Sequence, residues 1–398
     1  MKILLLERIH AVAARALKSE GWTVTTESKA LGQPELKKAI RRVNALGIRS
    51  KSRVTGAVLD QADALECVTC FCIGYDQVDI DTCTDRGIAV FNSPYSNTRS
   101  VSELVIGHII MLLRDIIGAN ANMHQGLWRK SAANANEVRG KTLGVVGYGH
   151  IGSQVSILAE ALGMEVIFYD IREALAIGNA RRTRSLRELL GASDVVTLHV
   201  PDTDSTRGMI GASELRSMKK GALLINTSRG RVVRLEALKE ALLKKHLRGA
   251  ALDVFPKEPG ANGPGWTCAL RGLPNVILTP HIAGNTKEAQ REIGSSAAGK
   301  LRKFLSLGTT TGSINFPQLE LPPLGGRHRL IHIHKNVPGV ISAIGHVLSG
   351  HKINIEGQRL GTTEKLGYLV TDVDHTVRGE LLKDLNAVEN TIRVRALY

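Results

Sequence analysis

The segment Leu143-Gly-Val-Val-Gly-Tyr-Gly-His-Ile-Gly152 restricts this chain more than any other. An apolar run leads into Gly147, Gly149 and Gly152, spaced G-x-G-x-x-G, and a helical pattern follows. The first glycine allows a tight turn, the second lets a pyrophosphate approach the backbone, and the third lets a helix pack on the preceding strand. A helix starting near Ile151 then aims its free N-terminal amides at phosphate. Alone the spacing is weak, since a glycine-rich turn without a ligand reads the same way. Here, however, the next apolar run ends in Asp170, eighteen residues beyond Gly152, where an acid binds ribose hydroxyls. That carboxylate repels a 2′-phosphate, which favours NAD over NADP; Arg172, two residues on, weakens the preference.

The surrounding periodicity extends this reading. Strands are expected at Leu143–Val146, Glu165–Tyr169, Asp194–Val200, Ala222–Thr227, Gly249–Val254 and Asn275–Leu278, alternating with helices. That order specifies an α/β protein with a Rossmann-like, doubly wound parallel sheet. Upstream, strands at Ile3–Leu6, Ala45–Ile48 and Leu65–Phe71 and helices near His10–Glu20 and Gln33–Arg41 form a second alternating region. Val101–Ile117 reads as one long helix, too apolar for a one-sided surface helix and therefore buried, a subunit interface being one place for it. A helix over Thr286 to Leu305 leads to a Pro-rich linker, Pro317 to Pro323. The last seventy residues read as a separate βαββαβ unit: Arg329–His334, Gly339–Leu348, Asn354–Leu360, Gly367–Asp374, Glu380–Ala387 and Thr391–Leu397.

At 398 residues the chain exceeds one ordinary core, and its 40 glycines suit many strand-to-helix turns. No run of about 18 apolar residues occurs, which excludes a membrane-spanning helix. The opening apolar run is too short for a signal peptide and meets Glu7 at once, so a cytoplasmic protein is expected. Cys67, Cys70 and Cys72 lie close together, but no second Cys or His pair at ligand spacing accompanies them. A buried strand over Val68 to Ile73 with core cysteines is the reading, with no metal and no disulfide framework. The net charge of +15 is spread over Arg41-Arg42, Arg181-Arg182, Lys219-Lys220 and Lys244-Lys245 without interleaved aromatics. It is read as a solvated surface rather than a nucleic-acid site.

Three polar residues follow predicted strand ends, where open α/β sheets bind ligands: Arg229, Glu258 and His281. Oxidising a secondary alcohol needs a base for the hydroxyl proton while hydride leaves carbon, and histidine titrates in the right range. A carboxylate beside it favours the imidazolium and fixes its tautomer, the role given to Glu258. Arginine clamps a substrate carboxylate bidentately and polarises the carbonyl. Singly, each residue has a structural alternative; together, at successive strand ends of a dinucleotide fold, they form a catalytic set.

Gly-Tyr-Gly-His-Ile-Gly, Ile-Asn-Thr-Ser-Arg-Gly, Asp-Val-Phe-Pro-Lys-Glu-Pro and Thr-Pro-His-Ile-Ala-Gly, in this order, resemble the D-isomer-specific 2-hydroxyacid dehydrogenases. Cys-Phe-Cys-Ile-Gly, Phe-Asn-Ser-Pro-Tyr-Ser-Asn-Thr-Arg-Ser-Val and the ending Thr-Ile-Arg-Val-Arg-Ala-Leu-Tyr resemble, more narrowly, the branch of that family that carries an ACT domain and acts on 3-phosphoglycerate. The likeness runs over essentially the whole chain. It implies a discontinuous, flavodoxin-like substrate domain (1–96, with return segment and linker 284–325), an NAD-binding domain over 97–283, and a βαββαβ ACT domain over 326–398. Arg229, Glu258 and His281 are then catalytic, His281 exchanging the proton. Gly147, Gly149, His150, Ile151, Gly152, Asp170, Thr227, Ser228, Asp253, Ile282, Ala283 and Gly284 contact NAD, Asp253 through the nicotinamide amide.

The resemblance further implies Arg49 and Lys51 as phosphate- or carboxylate-binding cations, with substrate in the cleft between domains. It implies L-serine as feedback effector at His334, Asn336 and Asn354, assembly as dimers or tetramers, and a capacity to reduce 2-oxoglutarate. Two departures from the family stand out. Lys352 occupies a turn where glycine is usual, and a positive φ there would strain it. Arg234 precedes the helix Leu235–Lys244 where relatives place aspartate. The alternatives are a sister dehydrogenase reducing hydroxypyruvate or glyoxylate and, outside enzymes, an NADH-sensing transcriptional corepressor.

Overall fold

The computed structural model describes all residues but 260, 261, 375, 376 and 378, and the chain divides into two compact units, residues 1–96 with 290–398 and residues 97–289. In the first unit, β1 (Lys2–Leu5), β2 (Thr23–Thr26), β3 (Ala45–Ile48), β4 (Cys67–Cys70) and β5 (Ala89–Phe91) form a parallel sheet ordered β2-β1-β3-β4-β5. Its continuous apolar runs reflect burial on both faces. Ile3 and Leu5 point into one core, Leu4 and Leu6 into the other. This is the flavodoxin-like order expected. The edge strand β2, Thr-Val-Thr-Thr, escapes the sequence reading because it is mostly exposed and polar; β5 escapes it because it has only three residues.

In the second unit, β6 (Thr142–Val146), β7 (Glu165–Tyr169), β8 (Arg181–Arg182), β9 (Val195–Leu198), β10 (Leu223–Asn226), β11 (Gly249–Leu252) and β12 (Val276–Leu278) form a fully parallel sheet. Its order, β12-β11-β10-β9-β6-β7-β8, reverses between β6 and β9. That reversal is the switch point of a doubly wound sheet, beside the Gly147–Gly152 turn. The predicted helix Val101–Ile117 is observed as Thr98–Arg114, broken at Asp115 (φ 51°) and continued as Ile116–His124 at a bend of 66°. Asp tolerates the left-handed conformation that ends the first helix. Two helices thus replace the one expected; within the single chain one face of Thr98–Arg114 is buried and Ile116–His124 is exposed. No single helix among the described residues is long and apolar enough to cross a membrane. The helix Leu235–Leu243 begins after Arg234 without a side-chain cap.

The C-terminal sheet, β13 (His328–Lys335), β14 (Ile355–Thr362), β15 (Leu366–Val373) and β16 (Thr391–Leu397), is antiparallel in the order β14-β15-β13-β16. One face packs on its own helices through Leu330, Ile344, Leu348, Leu369, Leu381 and Leu385. The other face, Ile331, Ile333, Leu366, Tyr368 and Val370, shares a core with β1 to β5 and the helix Lys287–Leu307. Phe304, Phe316 and Tyr368 stack edge-on through that core. The Pro-rich stretch is no loose linker: Leu321 is buried and Thr310 Oγ1 donates to the Pro317 carbonyl at 2.6 Å. Two buried arginines complete the junction. Arg329 forks onto Asp372 and donates to the carbonyls of Leu307 and Pro322. Arg395 pairs with Glu66 at 2.7 Å and lies over the Phe304 ring.

The helix Val340–Gly350 ends with Lys352 N–H donating to Ser349 and Ile353 N–H to Leu348, a Schellman closure whose left-handed position is Lys352 itself, at φ 56°. Lysine bears there a steric cost that glycine avoids. Lys352→Gly is therefore expected to stabilise the protein by about 0.5–1 kcal/mol, read as a higher urea midpoint; a lowered midpoint would show that the turn is unstrained.

Candidate active site

Strands β6, β10, β11 and β12 deliver their C-terminal ends to one edge of the second unit, and the polar residues sit in the turns beyond them. Gly147 has φ 91°, and a Cβ on it would lie 2.4 Å from the His199 carbonyl oxygen. A Cβ on Gly152 would lie 2.2 Å from the Gly147 oxygen, so strand and helix touch there. Gly149 faces open space, leaving the backbone approachable at the N-terminus of the helix His150–Ala161. Asp170, nearly buried, accepts from the amides of Tyr148 and Arg172. Thr227 Oγ1 is buried without a partner. An open glycine turn at a helix N-terminus, an acid at the next strand end and an unsatisfied hydroxyl together fit a dinucleotide.

Asp253 closes the far side. Its carboxylate is fully buried and accepts from Thr279 Oγ1 (2.6 Å) and the amides of Ile282 (2.9 Å) and Ala283 (2.8 Å). A carboxylate has about four acceptor positions, and these three donors fill three of them. The Asp253 carbonyl also takes the His281 amide, and His281 itself has φ 55°. This turn presents the imidazole to Glu258: His281 Nδ1 and Glu258 Oε2 are 2.7 Å apart, while Glu258 Oε1 accepts from the Phe255 amide at 3.0 Å. The hydrogen bond that Glu258 accepts raises the His281 pKa above the ordinary histidine value, against its burial. Burial pushes Glu258 up, but His281, the Phe255 amide and Arg229 outweigh it and hold the carboxyl below its ordinary range. The pair thus favours imidazolium-carboxylate, with Nε2 left to meet a substrate oxygen.

Arg229 follows β10 in a turn clamped by Asn226, whose Oδ1 accepts from Ser228 N–H and Oγ–H and whose Nδ2 donates to the Arg229 carbonyl. Next to it, Gly230 lies so close to Phe255 that a Cβ would stand 2.0 Å from the Phe255 carbonyl carbon. That contact brings the Arg229 and Glu258 turns together. The sequence reading passed over Asn226, Gly230 and Thr279, although all three sit within quoted motifs: the Asn226 contacts are local, while those of Gly230 and Thr279 are made to the distant Phe255 and Asp253.

Arg49 and Lys51 belong to the first unit, in the turn after β3. There Glu7, nearly buried at φ 65°, accepts the amides of Arg49 (3.2 Å), Lys51 (3.0 Å) and Ser52 (2.8 Å). Glu7 was read from sequence only as an interruption of the first apolar run; its role is to shape this basic turn. His334 is buried beside Gly367, and Asn336 donates to the Thr363 carbonyl at 2.8 Å. Asn354 lies just before β14, whose start pairs with the far end of β15, while its end reaches the His334 register. At roughly 3.3 Å per residue, one copy of the chain keeps Asn354 about 20 Å from His334.

A sequence match to the family described as "D-isomer specific 2-hydroxyacid dehydrogenase, NAD binding domain" spans residues 106–283, and one to "AHAS small subunit-like ACT domain" spans 330–393. The chain belongs to the D-isomer specific 2-hydroxyacid dehydrogenases, NAD-dependent enzymes. It is 49% identical to the D-3-phosphoglycerate dehydrogenase of Escherichia coli K12 over 100% of this chain and 98% of that one. It is 46% identical to the Dictyostelium discoideum protein of the same name, over 100% and 97%. Among solved structures it resembles the TT0316 protein of Thermus thermophilus, with TM-score 0.70, 32% identity, and 77% of this chain and 97% of that one covered. It also resembles the Aquifex aeolicus D-lactate dehydrogenase complexed with NAD and lactic acid, with TM-score 0.68, 26% identity and coverage of 79% and 100%.

Two outcomes test this geometry. Gly230→Ala should cost at least about 1–3 kcal/mol by overpacking and lower turnover with it; an unchanged melting temperature would show that the two turns have slack. Were His281 the proton donor in reduction of a 2-oxo acid, the rate would fall as pH rises through the raised pKa. In Glu258→Gln that pKa drops, and the decline should begin at lower pH; an unmoved profile would deny Glu258 this role.

Proposed function

We propose that this enzyme oxidises 3-phospho-D-glycerate to 3-phosphohydroxypyruvate with NAD, the entry to L-serine synthesis, as a cytoplasmic homo-oligomer. The His281–Glu258 pair beside Arg229 carries the reaction type, and the full-length likeness to enzymes named for this substrate supports its identity. Bound at the Gly147–Gly152 turn, Asp170 and Asp253, NAD supplies the hydride chemistry. Arg229 holds the substrate carboxylate, and His281 Nε2 takes the hydroxyl proton in oxidation or returns it in reduction. Glu258 keeps the ring oriented and stabilises its charge. We assign Arg49 and Lys51 to the substrate's phosphate, Lys51 as a point charge rather than a bidentate partner.

L-serine is the proposed effector. His334 and Asn336 lie at one end of the C-terminal sheet and Asn354 at the other. β14 is an exposed edge strand, and a second copy added antiparallel along it would bring the partner's Asn354 to the same end of the joined sheet as His334. The exposed apolar helix Ile116–His124, with Leu127 and Trp128 beyond it, offers the catalytic unit a further subunit contact.

His281→Ala should lose about 10²–10⁴-fold in kcat while NADH still binds, measured by fluorescence titration; equal loss of both would make the residue structural. Turnover should favour 3-phosphohydroxypyruvate over hydroxypyruvate, and the preference should shrink in Lys51→Ala. Indifference to the phosphate would assign the enzyme a sister substrate.

A further inference from the structure

Asp170 stands where an acid selects NAD, but it is surrounded by cations. Its side chain is only 8% exposed; Oδ2 accepts the Tyr148 amide at 2.8 Å and Oδ1 the Arg172 amide at 2.9 Å. Arg172 Nε also lies 3.8 Å from Oδ1, on a side chain that is 79% exposed. A second guanidinium is fixed to the same turn. Arg182 lies on β8, opposite Phe168 of β7, and its Nη2 donates to the carbonyls of Asp170 (2.9 Å) and Arg172 (3.2 Å). Both acceptors are neutral, so they orient the guanidinium without cancelling its charge. Arg181 beside it behaves as an ordinary surface arginine: side chains alternate along a strand, and this one pairs with Glu165 at 3.0 Å. Between Asp170 and Arg184 the chain carries Arg172, Arg181, Arg182 and Arg184 against Asp170 and Glu173.

We propose that this ribose site also accepts a 2′-phosphate, bound by Arg172 and Arg182, so that the enzyme takes NADP(H) as well as NAD(H). An acid at this strand end holds the ribose hydroxyls and repels a phosphate, whereas an arginine beside it accommodates one. Here one carboxylate, turned inward by two amides, meets two guanidiniums. Arg182 is already oriented by its carbonyls, so little freedom is lost when it meets an anion. Arg172 is exposed and only loosely paired with Asp170, a contact that solvent makes weak and that a phosphate replaces at small cost. Asp170 keeps acceptor positions beyond the two amides, which retains the ribose hydroxyls of NAD.

The inference rests on the cofactor lying at the Gly147–Gly152 turn and Asp170, and not on the identity of the substrate. Full-length enzyme is titrated with NADH and with NADPH, followed by nicotinamide fluorescence, with no substrate present. Repulsion by an unopposed acid would weaken NADPH by more than about thirtyfold; the gap in Kd should be smaller than that. Arg172→Gln and Arg182→Gln should each widen it by roughly tenfold, the effect of one hydrogen bond to a charged group. Arg182→Lys, which keeps the charge and loses the fork, should widen it less. General damage to the turn would weaken both cofactors alike and leave their ratio where it was. A gap above thirtyfold in the unaltered enzyme, or one that either glutamine substitution leaves unmoved, would overturn the proposal. An enzyme that prefers an unphosphorylated oxo acid gives the same titration, so failure of the substrate assignment is distinguishable from failure here.

Discussion

The catalytic unit is organised around the buried carboxylate of Asp253. A charge so far from water is tolerated only when hydrogen bonds replace its hydration, and Thr279, Ile282 and Ala283 supply them. The turn that makes these bonds cannot take another course, so His281 is held at a positive φ with its ring directed at Glu258. The position of the imidazole is thereby anchored to a buried acid that it touches only through the backbone.

The same device recurs. Glu7 gathers three amides of the turn at 49–52, and Asp170 gathers those of Tyr148 and Arg172. Backbone groups beyond the end of a strand have lost their ladder partners and need others. A carboxylate taking two or three of them converts a flexible turn into a platform. Three such platforms stand at strand ends, where this kind of sheet meets its ligands.

The sheet of the second unit was largely legible in the sequence because its strands are continuous apolar runs. The candidate residues Arg229, Glu258 and His281 were picked out as polar groups just past them, and the structure pairs His281 with Glu258. What could not be read is what other parts of the chain do to those turns. Glu7 and Arg49 are far apart in sequence, and Gly230 matters only because Phe255 lies against it. The break at Asp115 was missed because the apolar pattern runs straight through it, while the backbone does not. Asn354 and His334 could be named from resemblance, yet strand register separates them within one chain.

The junction of the C-terminal sheet with the first unit bears on how such a chain could change over generations. Structural relatives such as the Thermus and Aquifex proteins are shorter, aligning almost entirely with 77% and 79% of this chain. A descendant of this protein could not reach that length by a single deletion. Losing β13 to β16 would uncover Phe304, Phe316 and the apolar ridge of the helix Lys287–Leu307, and strand Glu66 without Arg395. The C-terminal sheet is a wall of the first unit's core, and many coordinated surface changes would have to precede its removal.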